Sequence, residues 1–147
     1  MAEYRLRPAI EADSLKIRDL IHRVQINPMG LDWRRFVVAV NESGTMLGCG
    51  QLKRHYGDVI ELASIAVEPQ YRSQGIARAI IEHLIAQAPR PLYLTCRGSL
   101  GSFYEKWGFR ATGFDEMPAY FRRLSRLASA MSPLFRNDSG LLVMKLM

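Results

Sequence analysis

The stretch that most constrains the fold is a strand–loop–helix unit, IELASIAVEPQYRSQGIARAIIEHLI, at residues 60–85. Within it, VIELASIAV (59–67) is almost entirely apolar, which predicts a largely buried strand. After the loop, apolar residues recur at helical spacing from Gly75 to Ala88, and Pro89 ends the pattern. A buried strand that leads into an amphipathic helix is typical of α/β folds, in which helices cover a sheet.

The rest of the chain predicts further strands and helices in the order β-α-β-β-β-α-β-α-β, followed by an insertion and a last strand. The predicted strands are 3–8, 36–40, 46–55, 59–67, 91–96, 109–114 and 140–147, and the predicted helices are 11–24, 75–88, 100–107 and 117–135. This order indicates a mixed sheet flanked by helices. No repeat or linker interrupts it, so we expect one domain over 1–147, with 115–139 as a helical insertion before the last strand.

Charge and composition narrow the function classes. The net charge is +6 and the isoelectric point about 9.7, but the basic residues are scattered in pairs such as Arg34 with Arg35. No zinc-ligand spacing, helix-turn-helix pattern or aromatic RNA-binding signature accompanies them, so we expect no nucleic-acid partner. A positive balance equally suits an enzyme that binds an anionic, phosphorylated ligand. A basic nucleic-acid-binding protein remains the less favoured alternative.

The sequence also lacks the signals of membranes, secretion and metal binding. No apolar run approaches the roughly 18 residues of a membrane span, and the first residues have no apolar core typical of a secretory signal. Cys49 and Cys96 lie in strand-like stretches and form neither a disulfide framework nor a metal-ligand spacing. We therefore expect a cytoplasmic protein without a metal and without a membrane partner.

The loop RSQGIA (72–77) has the chemistry of a phosphate cradle. A helix N-terminus presents backbone N–H groups and a favourable dipole to an anion. Gly75 removes a side chain that would block close backbone approach, and Arg72 and Arg78 add positive charge. Taken alone, the same residues would also suit the tight turn of an ordinary strand-to-helix connection.

Two longer motifs distinguish these interpretations. The strand and loop read V-x-P-x-Y-R-x-x-G-x-A (67–77), and about thirty residues later comes FYEKWGF (103–109). With both motifs in this order, nearly the whole chain resembles the GNAT superfamily of acyl-CoA-dependent N-acyltransferases. The resemblance implies a mixed, mostly antiparallel central sheet flanked by helices, in which the fourth and fifth strands splay apart.

The resemblance also implies a reaction. A GNAT protein of this kind would be an N-acetyltransferase that moves an acetyl group from acetyl-CoA, its cosubstrate, directly to a primary amine of a small molecule or peptide. A non-catalytic acyl-CoA-binding regulatory module is the alternative. The CoA-binding residues that the resemblance implies are Ile65, Ala66, Val67, Arg72, Ser73, Gln74, Gly75, Ile76, Ala77 and Arg78.

Two residues match positions that exchange protons in the family. Glu61 would take the proton from an ammonium group, because only the free amine can attack a thioester. Tyr104, within FYEKWGF, would protonate the departing thiolate of CoA. Each has a plain structural alternative: Glu61 near a strand start could reach solvent, and Tyr104 could pack in the core. One position departs from the family pattern, because Arg97 stands where many relatives carry an asparagine that holds CoA.

The residues that bind the acceptor amine are the least determined part of the predicted site. Residues 25–35 and 115–135 occupy the segments that usually form it, and the candidates are Met29, Asp32, Trp33 and Tyr120. The helix at 117–135 could instead form a homodimer contact or, less favoured, rest on a membrane surface. His55, which ends a predicted strand next to Tyr56, could approach a substrate, but a turn residue is the favoured interpretation. The sequence does not name the amine.

Overall fold

The computed structural model describes residues 3–131 and 140–147. The helices of this part of the chain are α1 (Ser14–Arg23), α2 (Ile76–Gln87), α3 (Gly101–Glu105) and α4 (Ala119–Met131). The strands are β1 (Tyr4–Pro8), β2 (Phe36–Asn41), β3 (Met46–His55), β4 (Val59–Val67), β5 (Leu92–Arg97), β6 (Arg110–Ala111) and β7 (Leu141–Leu146). The predicted end of the last helix near Pro133, and the last part of the 115–139 insertion, lie outside the described residues.

The strands form one sheet in the order β1-β2-β3-β4-β5-β7-β6. Antiparallel pairing joins β1 to β2, β2 to β3, β5 to β7 and β6 to β7, whereas β4 and β5 run parallel. The parallel pairing covers only the registers Ile60↔Leu92 and Glu61↔Tyr93, while β5 pairs with β7 over six registers. The predicted α/β fold, with a mostly antiparallel sheet and a splayed fourth and fifth strand, is confirmed.

By the density of its contacts the chain divides into two compact units that alternate along the sequence. The first comprises 1–53 and 62–88, and the second comprises 54–61 and 89–147. In the first unit, the buried stripe of α1 packs on alternate residues of β2, as its periodicity predicts. The core residues of this cluster include Ile17, Leu20, Ile21, Phe36, Val38, Val40, Cys49 and Ala66.

The second unit has its own core under α4. Phe121 is fully buried against Tyr93 and Val143, and Val59, Met117 and Tyr120 pack around them. Residues two apart on a strand share a face, so Val59 and Glu61 lie on one face of β4. That face is the one that α4 covers. Farther along α4, Leu127 is 58% exposed, although the sequence places it on the apolar side of the helix.

Two elements are shorter than their patterns predict. The helix expected at 100–107 is a five-residue α3, because Gly98–Leu100 form a 3-10 turn and the chain leaves the helix before Gly108, whose φ is +97°. The strand expected at 109–114 pairs only at Arg110 and Ala111, since a 3-10 turn begins at Phe114. Among the described residues, none of the helices has the length and apolar character needed to cross a bilayer.

Candidate active site

The loop between β4 and α2 leaves several backbone amides available. Gly75 is the N-cap of α2 and provides no side-chain cap, and the amide of Ala79 makes a 3.0 Å bond to the Gly75 carbonyl. The N–H groups of the three residues before Ala79 therefore precede the helical hydrogen bonds. Ser73 and Gly75 are both left-handed, with φ of +65° and +83°. Backbone of this kind forms the concave N–H arrangements that bind anions.

Gly75 has a conformational role in addition to the steric one expected from the sequence. A Cβ at this position would meet nothing within 4 Å, so the space above Gly75 is open. What requires glycine is the positive φ, which costs an L-residue roughly 1–2 kcal/mol. The Tyr4 hydroxyl lies 3.5 Å from the Gly75 carbonyl. The loop thus combines a strained turn with free space outside it, which fits a phosphate group.

The two loop arginines are exposed. Arg72 donates from Nε to the Val67 carbonyl at 3.4 Å, and Arg78 pairs with Glu82 one turn along α2 at 3.2 Å. Upstream, Ile65, Ala66 and Val67 form the last part of β4, just after Ser64, a non-glycine residue with a φ of +60°. The CoA-binding candidates expected from the sequence, Ile65–Val67 and Arg72–Arg78, therefore all lie in the first unit.

Glu61 is buried instead of reaching solvent. It lies on β4 at the register opposite Tyr93, and the residue is 5% exposed. Its Oε1 lies 2.8 Å from Nε2 of His55, and the Thr95 hydroxyl lies 3.5 Å from its Oε2. The plain alternative for Glu61, a solvated strand end, does not describe this environment. A buried carboxylate in contact with an imidazole can accept a proton.

His55 is a functional candidate that the sequence interpretation ranked below a turn role. It is the last residue of β3 rather than a turn residue, and its side chain is 13% exposed. A signal was present: the short connection 56–58 joins two strands, and residues that are diagonal neighbours across such a pair remain within reach of long side chains. His55 and Glu61 stand on the two sides of that connection.

Aromatic rings surround this pair. The Tyr120 ring stacks on the His55 imidazole with a centroid distance of 3.8 Å and an interplanar angle of 20°. Phe121 approaches the same imidazole edge-on at 5.8 Å, and Tyr93 lies 5.3 Å from Phe121. Burial and the nearby Glu61 carboxylate raise the pKa of Tyr120. Tyr120, a candidate for binding the acceptor amine, therefore lies close to Glu61.

Tyr104 lies on α3 in an aromatic cluster. Its ring has centroid distances of 5.1 Å to Phe103, 6.2 Å to Trp107 and 6.1 Å to Phe109. Burial, with a smaller contribution from the nearby Cys96, raises the pKa of Tyr104 to about 12. Burial also raises the pKa of the Cys96 thiol to about 11. At neutral pH the phenol therefore keeps its proton and can donate it.

The other acceptor candidates lie on the segment between α1 and β2, in the first unit. Met29 is 70% exposed. Asp32 caps a 3-10 turn by accepting from the Arg34 amide at 3.1 Å, which lowers the pKa of its carboxyl. Trp33 packs on the core of the first unit, and the Arg34 guanidinium lies 4.9 Å from its ring centroid. Asp32 and Trp33 thus already have structural roles.

Gln51 is a residue that the sequence interpretation overlooked. It is fully buried on β3, and its Nε2 donates to the Gly30 carbonyl at 3.2 Å and to the Ser64 hydroxyl at 2.9 Å. Gln51 thereby ties the segment after α1 to the left-handed residue of β4. Its Oε1 is buried and has no hydrogen-bond partner among the described residues. Arg97, the departure from the family pattern, lies exposed at the end of β5.

The described residues contain no group of three or more His, Cys, Asp or Glu side chains that could hold a metal ion.

Solved structures share this fold. The chain superposes on N-acetylglutamate synthase from Neisseria gonorrhoeae, complexed with coenzyme A and N-acetyl-glutamate, with a TM-score of 0.77 and 21% identity over 99% of this chain and 35% of that one. Rv2747 from Mycobacterium tuberculosis, in complex with CoA and NLQ, gives a TM-score of 0.73 and 23% identity over 97% of this chain and 98% of that one. The NatC complex bound to Gag peptide and CoA gives a TM-score of 0.67 and 20% identity over 98% of both chains.

The chain spans about a third of the Neisseria synthase chain, whereas it covers Rv2747 almost completely. No curated protein matches the chain by sequence. The family model described as an acetyltransferase (GNAT) domain matches residues 32–111, which is more than half of the chain and includes both motifs. The chain therefore belongs to the GNAT family of acetyltransferases.

Proposed function

We propose that this protein is an N-acetyltransferase that moves the acetyl group of acetyl-CoA directly to a primary amine. The observation that carries the proposal is the buried Glu61 carboxylate, which lies at the last paired register of β4 and β5. A carboxylate buried at a splayed strand pair is costly unless it is hydrogen-bonded or used. Glu61 is hydrogen-bonded to His55, an arrangement suited to accepting a proton.

Glu61 begins the reaction. The carboxylate takes a proton from the ammonium form of the acceptor, directly or through water, and the electron pair stays on nitrogen. That pair forms the new nitrogen–carbon bond at the thioester carbonyl. A backbone N–H of β4 polarises the carbonyl oxygen. Direct transfer needs no covalent acyl-enzyme, and the high pKa values of Cys49 and Cys96, about 12 and about 11, make both thiols poor nucleophiles.

Tyr104 completes the reaction. When the carbon–sulfur bond breaks, its electron pair leaves on sulfur, and the Tyr104 phenol protonates the thiolate. The nitrogen of the adduct loses its remaining extra proton to water, and water returns a proton to the Tyr104 phenolate. The main chain of Ile65–Val67 holds the pantetheine arm. The amides at the start of α2, with Arg72 and Arg78, hold the pyrophosphate.

Binding of acetyl-CoA is the first test. A ligand at about a hundred times its dissociation constant stabilises the native state by about 2.7 kcal/mol, which for a chain of this size raises Tm by roughly 5–10 °C. We expect this rise in the wild type and its loss in Gly75→Glu, which places a negative charge in the cradle.

Gly44→Glu is the matched control. Gly44 has a φ of +81° and open space around it, like Gly75, but lies in the turn between β2 and β3. Both variants carry the same strain and the same charge, so only the location differs. An equal loss of the acetyl-CoA effect in both variants, or no effect in the wild type, would overturn the cradle.

Turnover is the second test, measured as release of free thiol with amines as acceptors. Two classes are compared, since the Neisseria synthase structure contains N-acetyl-glutamate and the NatC structure a Gag peptide. Glutamate and other amino acids represent small molecules, and short peptides with a free N-terminus represent proteins. Binding of acetyl-CoA without thiol release from any acceptor would favour the non-catalytic regulatory module.

A further inference from the structure

The partners of Glu61 are unequal. The 2.8 Å contact between its Oε1 and Nε2 of His55 is a good hydrogen bond, whereas the 3.5 Å separation between its Oε2 and the Thr95 hydroxyl exceeds the usual range of about 2.5–3.0 Å for such bonds. One carboxylate oxygen is thus held firmly, and the other keeps its lone pairs open. The two oxygens of this buried group are therefore chemically distinct.

His55 is itself held in place. The Tyr120 ring covers one face of the imidazole, and Phe121 meets it edge-on. Both rings come from the first turns of α4, and Phe121 is fully buried. Because these contacts set the plane of the imidazole, the direction of Nε2 toward Glu61 does not depend on the solvent. A ring fixed in this way can hold one oxygen of a carboxylate through an N–H···O bond, the same kind of contact through which the carboxylate of a serine-protease triad holds its imidazole.

We propose that His55 is a positioning residue for proton transfer, which donates its Nε2–H to Oε1 of Glu61 so that Oε2 is the oxygen that takes the proton from the acceptor. This inference rests on the proposed function. In the step, an N–H bond of the ammonium breaks, an O–H bond forms on Oε2, and the electron pair remains on nitrogen. The contact with Glu61 uses only Nε2 of His55.

Two substitutions separate the contribution of the N–H donor of His55 from that of its aromatic ring. His55→Gln retains an N–H donor but loses the titratable imidazole and the stacked ring. His55→Phe retains a stacked ring and loses the donor. We expect His55→Phe to lower kcat about 10- to 100-fold, within the range of a lost acid–base contribution. His55→Gln should recover most of this loss, and KM for acetyl-CoA should stay within about twofold in both variants.

The pH profile adds a readout that a purely structural role would not move. The titratable groups that face His55 are Glu61 on β4 and Tyr120 on α4. If His55 acts on the proton-transfer step, the pH profile of kcat should differ between the wild type and His55→Gln. His83→Gln, a histidine on α2 that contacts Gln87, is the matched control and should leave kcat and its pH profile unchanged.

A measurement that does not depend on turnover keeps this inference separate from the proposed function. In nitrogen-15 spectra of the imidazole groups, we expect Nε2 of His55 to carry the proton, and its resonance should shift in Glu61→Gln. If the shift is seen but the wild type transfers no acetyl group, the proposed function fails and the pairing stands. A proton on Nδ1, or full activity and an unchanged pH profile in His55→Phe, would overturn the role of His55.

Discussion

Tyr104 shows how burial prepares a single residue for its proposed step. A phenol in water has a pKa near 10, and the environment of Tyr104 raises this value to about 12. The group is then fully protonated at working pH, so a proton is available on the phenol when the thiolate departs. Phe103, Trp107 and Phe109 supply the apolar surroundings.

We predict that Tyr104→Phe lowers kcat about 10- to 100-fold and leaves KM for acetyl-CoA within about twofold. Because the pKa of Tyr104 is about 12, deprotonation of this residue adds no basic limb to the wild-type kcat below about pH 10. Steady-state rates between about pH 6 and pH 10 check both statements. Tyr56→Phe, at a fully exposed tyrosine, is the control and should be unchanged. An unaltered kcat in Tyr104→Phe would leave only the packing role.

At the scale of elements, β3 approaches its neighbours closely through two glycines. Gly48 and Gly50 lie two apart on the same face of the strand. A Cβ at Gly48 would stand 2.9 Å from the Ala66 carbonyl oxygen and 3.2 Å from Cγ2 of Ile76, and one at Gly50 would stand 2.7 Å from Cγ2 of Ile80. The glycines therefore allow β4 and α2 to pack against this strand.

We predict that Gly48→Ala lowers the free energy of unfolding by about 1–3 kcal/mol, the usual cost of overpacking. The obstacle is a backbone oxygen, which cannot move aside as a side-chain tip can. Urea unfolding measures the change. Gly113→Ala is the control, since its added Cβ meets nothing within 4 Å and its φ is −72°, so its stability should stay within about 0.5 kcal/mol of the wild type. Equal stability of Gly48→Ala and the wild type would contradict the close-packing argument.

At the scale of the whole molecule, the net charge of +6 favours a polyanionic cosubstrate. Exposed arginines such as Arg72 and Arg78 act through solvent, where salt screens them: the Debye length falls from about 10 Å at 0.1 M to about 3 Å at 1 M ionic strength. We predict that KM for acetyl-CoA rises about 3- to 10-fold between about 0.05 and 0.5 M KCl.

A truncated donor provides the control for this prediction. The acetyl thioester of N-acetylcysteamine has the reacting group of acetyl-CoA without its phosphates. Its KM should stay within about twofold over the same salt range, because no phosphate charge is left to screen. If both donors respond to salt alike, the effect lies in the protein or the acceptor and not in phosphate binding.

Much of the fold followed from local patterns. The apolar run of β4 and the stripe of α2 are contiguous in the sequence, and their predicted bounds agree closely with Val59–Val67 and Ile76–Gln87. Short elements were harder, because α3 has five residues and β6 two, too few for a periodicity to emerge. The candidates for CoA binding and proton transfer came from the family resemblance that the two motifs carry, and their roles remain predictions.

Local patterns were enough to predict the class of fold, the family motifs, and a carboxylate and a phenol at the matching positions. The surroundings of these two groups depend on how distant elements pack. The burial of Glu61 depends on α4, which folds over it from a segment some sixty residues away, and the pKa of Tyr104 depends on its neighbours. The contact between His55 and Glu61 depends on the register of two strands. Periodicity reports which face of an element is apolar, whereas these properties depend on which elements meet.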